Sequence, residues 1–61
     1  MTTTTVKLDA GRAVVVQNAK PGIVHIVLKT FGITAISVDL TPDQAAILGE
    51  ALSLEAMRAQ A

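Results

Sequence analysis

The sequence predicts an α+β fold, in which a four-stranded antiparallel β-meander is followed by one C-terminal amphipathic helix packed on one sheet face. Residues 1–40 contain four short runs rich in Val, Ile and Thr, each followed by turn residues. The connections between the runs are roughly two to five residues long, which is too short for the crossover that parallel strands need. The remaining residues start with a helix-capping sequence and continue in good helix formers. We expect one small domain over residues 1–61.

Four strands are predicted from these runs. Their ranges are 3–8, 12–17, 23–30 and 33–40, and the first four residues of the chain are expected to fray. The intervening segments include Asp9-Ala10-Gly11, Lys20-Pro21-Gly22 and Phe31-Gly32, which are typical turn sequences. Each strand is therefore expected to pair with the next one along the chain.

The helix is predicted to begin directly after Thr41. This residue provides an N-cap hydroxyl, Pro42 suits the first helical position, and Gln44 completes a capping box. We predict a helix over residues 42–58, whose composition contains only Gly49 as a weak helix former.

Alternation along the strands assigns side chains to two sheet faces. On the third strand, Val24, Ile26 and Leu28 share the face that we expect to form the core. The opposite face mixes apolar with polar side chains, and its large apolar members are Val15, Ile23, Val27 and Ile33. Because a single helix covers only one face of a four-stranded sheet, this second face is too apolar to be ordinary solvated surface.

The helix also has two apolar sides. Leu48 and Leu52 are predicted to pack on the sheet together with several alanines. Phe31, the one aromatic residue, is either part of the core or an exposed anchor for a partner. We predict that the surplus apolar side chains form an interface with a protein partner or with copies of the chain: Val15, Ile23, Val27, Phe31, Ile33, Ile47, Leu54 and Met57.

Size and composition favour an oligomer. A chain of 61 residues buries only about 60% of the surface that its unfolded form exposes. It has no Cys for disulfides or zinc–thiolate sites, so a homodimer or larger homo-oligomer is the expected source of further stability. The sequence has neither an N-terminal signal nor an apolar run long enough to cross a membrane. A cytoplasmic protein without membrane contact is therefore expected.

His25 is the one conventional general base near neutral pH. It lies between Ile23 and Val27 on a strand, so a packed or interface histidine is the favoured interpretation, and ligand binding is the alternative. The linear sequence contains no Ser-His-Asp pattern, Gly-rich phosphate loop or metal-binding motif. We therefore predict no catalytic residues, no metal and no cofactor, and we do not expect an enzyme.

Charge is unevenly distributed along a chain whose net charge is zero. Residues 1–30 carry four basic residues and one acid, whereas residues 31–61 carry one basic residue and four acids. Solubilising charge is the favoured interpretation, and phosphate contact to duplex nucleic acid is the alternative. With one Phe and no Tyr or Trp, base stacking is not expected. The candidate nucleic-acid contacts are Lys7, Arg12, Lys20 and Lys29.

Three classes of function remain. The favoured one is a small oligomeric protein-interaction module of accessory, adaptor or inhibitor type, which acts by surface contact rather than catalysis. The second is a nucleic-acid-binding regulator that contacts the duplex backbone through its basic strand residues. The third is a small-ligand binder or an enzyme whose site lies between subunits around His25.

Overall fold

A computed structural model describes residues 2–60 and confirms the predicted fold class. Its elements are β1 (Thr2–Lys7), β2 (Arg12–Lys20), β3 (Ile23–Thr30), β4 (Ile33–Leu40) and α1 (Pro42–Ala59). The four strands form one sheet in the order β1-β2-β3-β4, and every neighbouring pair is antiparallel. β1 begins inside the segment that was expected to fray, and Met1 lies outside the described residues. β2 is longer than predicted because it continues past Gln17 to Lys20.

Cross-strand pairing defines the two faces of the sheet. We call one the apolar face, because its two central rows are Val6, Val14, Leu28, Ile36 and Thr4, Val16, Ile26, Val38. We call the other the polar face, and its two central rows are Thr5, Val15, Val27, Ser37 and Thr3, Gln17, His25, Asp39. Side chains in one row lie beside one another across the strands, so these rows decide which residues meet.

A bulge in β4 changes the face of one predicted interface residue. The register shifts between Leu28 and Lys29, which pairs Thr30 with Ile33 and Lys29 with Thr34. Simple alternation along β4 assigned Ile33 to the face of Ser37. Because a bulge inserts one residue into a strand, the alternation is reversed beyond it. Ile33 therefore lies on the apolar face and Thr34 on the polar face.

The β3–β4 turn places an aromatic side chain over the β1–β2 connection. Phe31 and Gly32 both have positive φ values, 51° and 80°, as in the two-residue turns that suit antiparallel hairpins. The Phe31 amide donates a hydrogen bond to the Gly11 carbonyl at 2.6 Å. A Cβ atom at Gly11 would lie 2.6 Å from Phe31 Cε1, so a larger residue here would displace the exposed Phe31 ring. The hydrogen bond between Phe31 and Gly11 thereby joins the β3–β4 turn to the β1–β2 connection.

α1 begins with the predicted capping box. Thr41 Oγ1 accepts a hydrogen bond from the Gln44 amide at 3.1 Å, and Gln44 Oε1 accepts one from the Thr41 amide at 3.0 Å. The helix packs against the sheet, as predicted, and its contacts are with β3 and β4. No residue of α1, all of which the structure describes, is buried. Leu52 was expected to lie against the sheet but is 65% exposed, because the contact with the strands covers little of the helix.

The interior of the folded chain is very small. Among the described residues, Val27 is the only buried hydrophobic side chain. Val24, Ile26 and Leu28, the expected core of β3, are half-buried on the apolar face. On the same face, Ile36 of β4 is 57% exposed. Within residues 2–60, no helix is long and apolar enough to cross a membrane.

Candidate functional site: an uncovered apolar surface and a polar sheet face

The accessible surface is larger than that of a typical folded chain of this mass. The chain has 4833 Å² of accessible surface, whereas a monomeric protein of 6.3 kDa exposes about 3,700 Å². Large apolar side chains contribute heavily, because twelve of them are exposed among the described residues. They are Val6, Leu8, Ile23, Phe31, Ile33, Ile36, Val38, Ile47, Leu48, Leu52, Leu54 and Met57.

Most of the predicted interface residues belong to this exposed set. Ile23, Phe31 and Ile33 are exposed at the ends of strands and in the β3–β4 turn, and the helical members Ile47, Leu54 and Met57 are exposed as well. The two others, Val15 and Val27, lie side by side on the polar face, where Val15 is half-buried and Val27 is buried. The structure thus concentrates uncovered apolar area on the apolar face and on α1, whereas sequence reasoning emphasised the other sheet face.

Three of the four candidate nucleic-acid contacts come together at one end of the sheet. Lys7, Ala13 and Lys29 form one row on the polar face. Arg12 and Phe31 line the same open cleft, which has a volume of about 520 Å³. Phe31 is 82% exposed, so of the two sequence interpretations the structure of the protomer supports an exposed side chain. Lys20 lies at the opposite end of β2.

Arg12 is held by an acid of the β1–β2 connection. Its Nε and Nη2 atoms both lie 2.7 Å from Asp9 Oδ2. Asp9 Oδ1 also accepts hydrogen bonds from the amides of Gly11 at 3.0 Å and Arg12 at 2.9 Å. The hydrogen bond from the Arg12 side chain lowers the pKa of Asp9, and the hydrogen bond from the Gly11 amide adds to this effect. The hydrogen bond to Asp9 in turn raises the pKa of Arg12. The carboxylate therefore both closes the turn and offsets part of the positive charge in the cleft.

His25 lies in a hydrogen-bonded chain with two residues of β4. Its Nδ1 atom is hydrogen-bonded to Asp39 Oδ1, and its Nε2 atom lies 3.2 Å from Ser37 Oγ. Asp39 is the direct cross-strand partner of His25, and Ser37 precedes it by two residues on the same face. The His25 side chain is 32% exposed and can be reached from solvent. Gln17 and Lys20 border a cleft of about 240 Å³ beside His25 and Asp39.

Sequence reasoning singled out His25 but missed its two partners. Ser37 and Asp39 follow it by 12 and 14 residues, so no short motif contains all three. The two-residue turn after Thr30 would by itself place Val38 opposite His25, and the bulge in β4 shifts the register by one residue so that Asp39 takes this position. No local sequence signal therefore indicated that these three residues meet. Among residues 2–60, no three His, Asp or Glu side chains are placed to hold a metal ion.

The chain matches no protein-family model, no curated protein and no solved structure. The structure offers three distinct features: the uncovered apolar face with α1, the basic cleft beneath Phe31, and the hydrogen-bonded chain of Ser37, His25 and Asp39.

Proposed function

We propose that this protein is a small interaction module of accessory, adaptor or inhibitor type that assembles with a second copy of itself and acts by surface contact. The observation that carries the proposal is its accessible area, which exceeds that of a typical monomer of its mass by roughly 1,100 Å². A standard protein interface buries about 800 Å² per partner, and obligate homodimers bury more. The surplus is therefore of the size that one homodimer interface would remove from solvent.

The distribution of the surplus supports a second copy as the occupant. Each protomer has both an incompletely covered sheet face and an apolar helix without buried residues. A helix with large apolar side chains on several sides is normally covered by protein on those sides. In a two-fold assembly, the helix of each copy can cover the apolar face of the other, and every such contact occurs twice. One interaction thus supplies the missing cover for both surfaces.

The proposal is tested with two lysine substitutions on β4. Ile36 and Thr34 are both exposed in the protomer but lie on the apolar and the polar face, respectively. Ile36→Lys should raise the dissociation constant of the dimer at least roughly 100-fold, because it places an unpaired charge in the interface. Thr34→Lys is the matched control and should leave it within about threefold of the wild-type value.

Analytical ultracentrifugation of the two variants reads out this difference. Circular dichroism of the same samples reports whether each variant keeps its strands and helix. Equal dissociation constants for Ile36→Lys and the parent protein would show that the apolar face is not part of the interface. Equal weakening by both substitutions would show that lysine perturbs β4 itself.

A second candidate function rests on the basic cleft. Lys7, Lys29 and Arg12 lie around an exposed aromatic ring, which is an arrangement suited to a phosphate backbone. Asp9 offsets one of these charges, which is why we rank this function below assembly. Fluorescence anisotropy with a labelled duplex at increasing salt tests it. Binding that weakens steeply with salt and is reduced by Lys29→Ala would support it, whereas no binding at low salt would exclude it.

A further inference from the structure

We propose that Ser37 is a nucleophile toward carboxylic esters with small acyl groups, with His25 as its general base and Asp39 as the residue that orients the histidine. This activity goes beyond self-assembly and does not depend on it, because the three residues lie on the polar face. It rests on the order in which their polar atoms are connected, which is Ser37 Oγ to His25 Nε2 and His25 Nδ1 to Asp39 Oδ1.

The connection to Asp39 selects the useful form of the histidine. A carboxylate only accepts hydrogen bonds, so the proton of a neutral His25 ring lies on Nδ1. Nε2 then has a free lone pair, which faces the Ser37 hydroxyl at 3.2 Å. In nucleophilic catalysis by serine, the base contacts the hydroxyl through one ring nitrogen and is held by an acid through the other. The three residues on the polar face reproduce that connectivity.

The backbone fixes the relative positions of these groups. Ser37 and Asp39 are alternate residues of β4, so their side chains leave the strand on the same side. His25 projects from the neighbouring strand directly opposite Asp39. About two thirds of the imidazole side chain is covered, whereas the Asp39 side chain is 65% exposed. The base is thus held in place while the site stays open to a small molecule.

The surroundings of Ser37 leave room for a small ester. Ser37 is exposed, and its cross-strand neighbour Val27 is apolar. The cleft of about 240 Å³ that Gln17 and Lys20 border lies on the other side of the His25 ring, beside Asp39, and Ser37 does not line it. A small acyl ester therefore reaches the Ser37 hydroxyl from solvent rather than through that cleft.

The reaction proceeds in two balanced halves. Ser37 Oγ forms a bond to the carbonyl carbon while its proton moves to His25 Nε2. The bond from that carbon to the leaving oxygen then breaks, and His25 returns the proton to the departing alcohol. Water repeats the sequence on the acyl-serine, which releases the carboxylic acid and restores the Ser37 hydroxyl. Asp39 stays ionised throughout and stabilises the transient imidazolium.

The test measures both labelling and turnover of the full chain. A fluorophosphonate probe followed by peptide mass mapping reports which serine reacts, and p-nitrophenyl acetate reports ester cleavage. We expect labelling at Ser37 and a rate that falls at least roughly tenfold in Ser37→Ala and in His25→Gln. Ser53→Ala on α1 is the matched control and should change neither readout. Asp39→Asn, which keeps the shape of the side chain, should also slow labelling at Ser37.

Three outcomes would overturn the proposal. One is equal labelling of Ser37 and Ser53, or no labelling of either residue. Another is ester cleavage that persists unchanged in Ser37→Ala, which would assign it to the imidazole alone. The third is labelling of Ser37 that is equally fast without His25 and without Asp39. Circular dichroism and solution mass of each variant separate these results from loss of the fold or of the proposed dimer.

Discussion

The sheet and the helix of this protein differ in how far a single chain satisfies them: the strands are paired with one another, whereas the helix is largely uncovered. The sheet pairs all four strands, with a register shift in the β2–β3 pair and another in the β3–β4 pair, and contains the one buried hydrophobic side chain of residues 2–60, Val27. α1 has its capping box and contacts β3 and β4, yet it contains no buried residue. Isolated helices of this length are marginal in water, and most helices in proteins are stabilised by packing of an apolar side. The proposed second copy would supply the cover that α1 lacks within its own chain.

Of the substitutions considered, a charge placed on α1 should have the largest effect, and it should act on the dissociation constant of the proposed dimer. If the helix is covered by a second copy, Leu52→Glu or Leu54→Glu puts an unpaired carboxylate into an apolar contact. We expect a cost of at least about 3 kcal/mol for the substitution on the covered side, which is more than 100-fold in the dissociation constant. Sedimentation equilibrium measures this change. The residue with the larger effect identifies the covered side, and unchanged association of both variants would contradict helix docking.

Removal of buried volume from the sheet should have the next largest effect. Val27→Ala is expected to lower the free energy of unfolding by about 2 kcal/mol, because it deletes apolar contacts around the most buried side chain. Urea denaturation at a fixed protomer concentration measures this loss. Thr5→Ala, an exposed position in the same row, is the control and should change it by less than about 0.5 kcal/mol. Equal effects would mean that Val27 contributes no more than a surface residue.

Loss of the helix cap should have a smaller effect. Thr41→Ala removes the hydroxyl that accepts the Gln44 amide, and it should lower the free energy of unfolding by about 1 kcal/mol. Gln44→Ala keeps that bond and removes only the reciprocal one to the Thr41 amide, so a smaller loss is expected. Chemical denaturation followed by helix circular dichroism measures both. A larger loss in Gln44→Ala than in Thr41→Ala would contradict the assigned roles of the two bonds.

The smallest effect is expected at the exposed β1–β2 turn, and it depends on pH. Hydrogen bonding to Arg12 lowers the pKa of Asp9 in the folded chain below its ordinary value of 3.8. The stabilisation is therefore complete well above pH 3.8 and disappears as the pH falls through the lower, folded-state value. Asp9→Asn should unfold slightly more easily than the parent protein at neutral pH. This difference should vanish in acid, and a difference that grew on acidification would contradict the account.

The elements of the fold could be predicted from the sequence because their signals are local. Turn residues separate the strand-forming runs, and Thr41, Pro42 and Gln44 mark the start of α1 within four residues. The face of Ile33 could not be predicted by alternation, since the bulge in β4 is not marked by a special residue type. The exposure of Leu52 also escaped prediction. Helical periodicity shows which sides are apolar, but it does not show whether the cover comes from the same chain.

The candidate sites were predictable only in part, for a related physical reason. Residue type was enough to select His25 and the basic strand residues Lys7, Arg12 and Lys29 as candidates for a functional site. Which of them meet depends on cross-strand register, and the same register brings Ser37 and Asp39 to His25. Lys20 is separated from the other basic residues because Arg12 and Lys20 lie at opposite ends of β2, and Lys7 and Lys29 lie at the Arg12 end of the sheet. The sequence therefore identified candidate side chains, whereas the pairing of the strands determined which of these side chains lie next to each other.

The most direct test of the central claim is the solution mass of the wild-type chain over a concentration series, measured by size-exclusion chromatography with light scattering. If a second copy covers the apolar face and α1, the mass should be twice that of the 6.3 kDa protomer and should fall toward the protomer value only with dilution. Helix content measured on the same fractions should fall together with the mass. A fully helical, folded protomer of 6.3 kDa at every concentration would contradict the account.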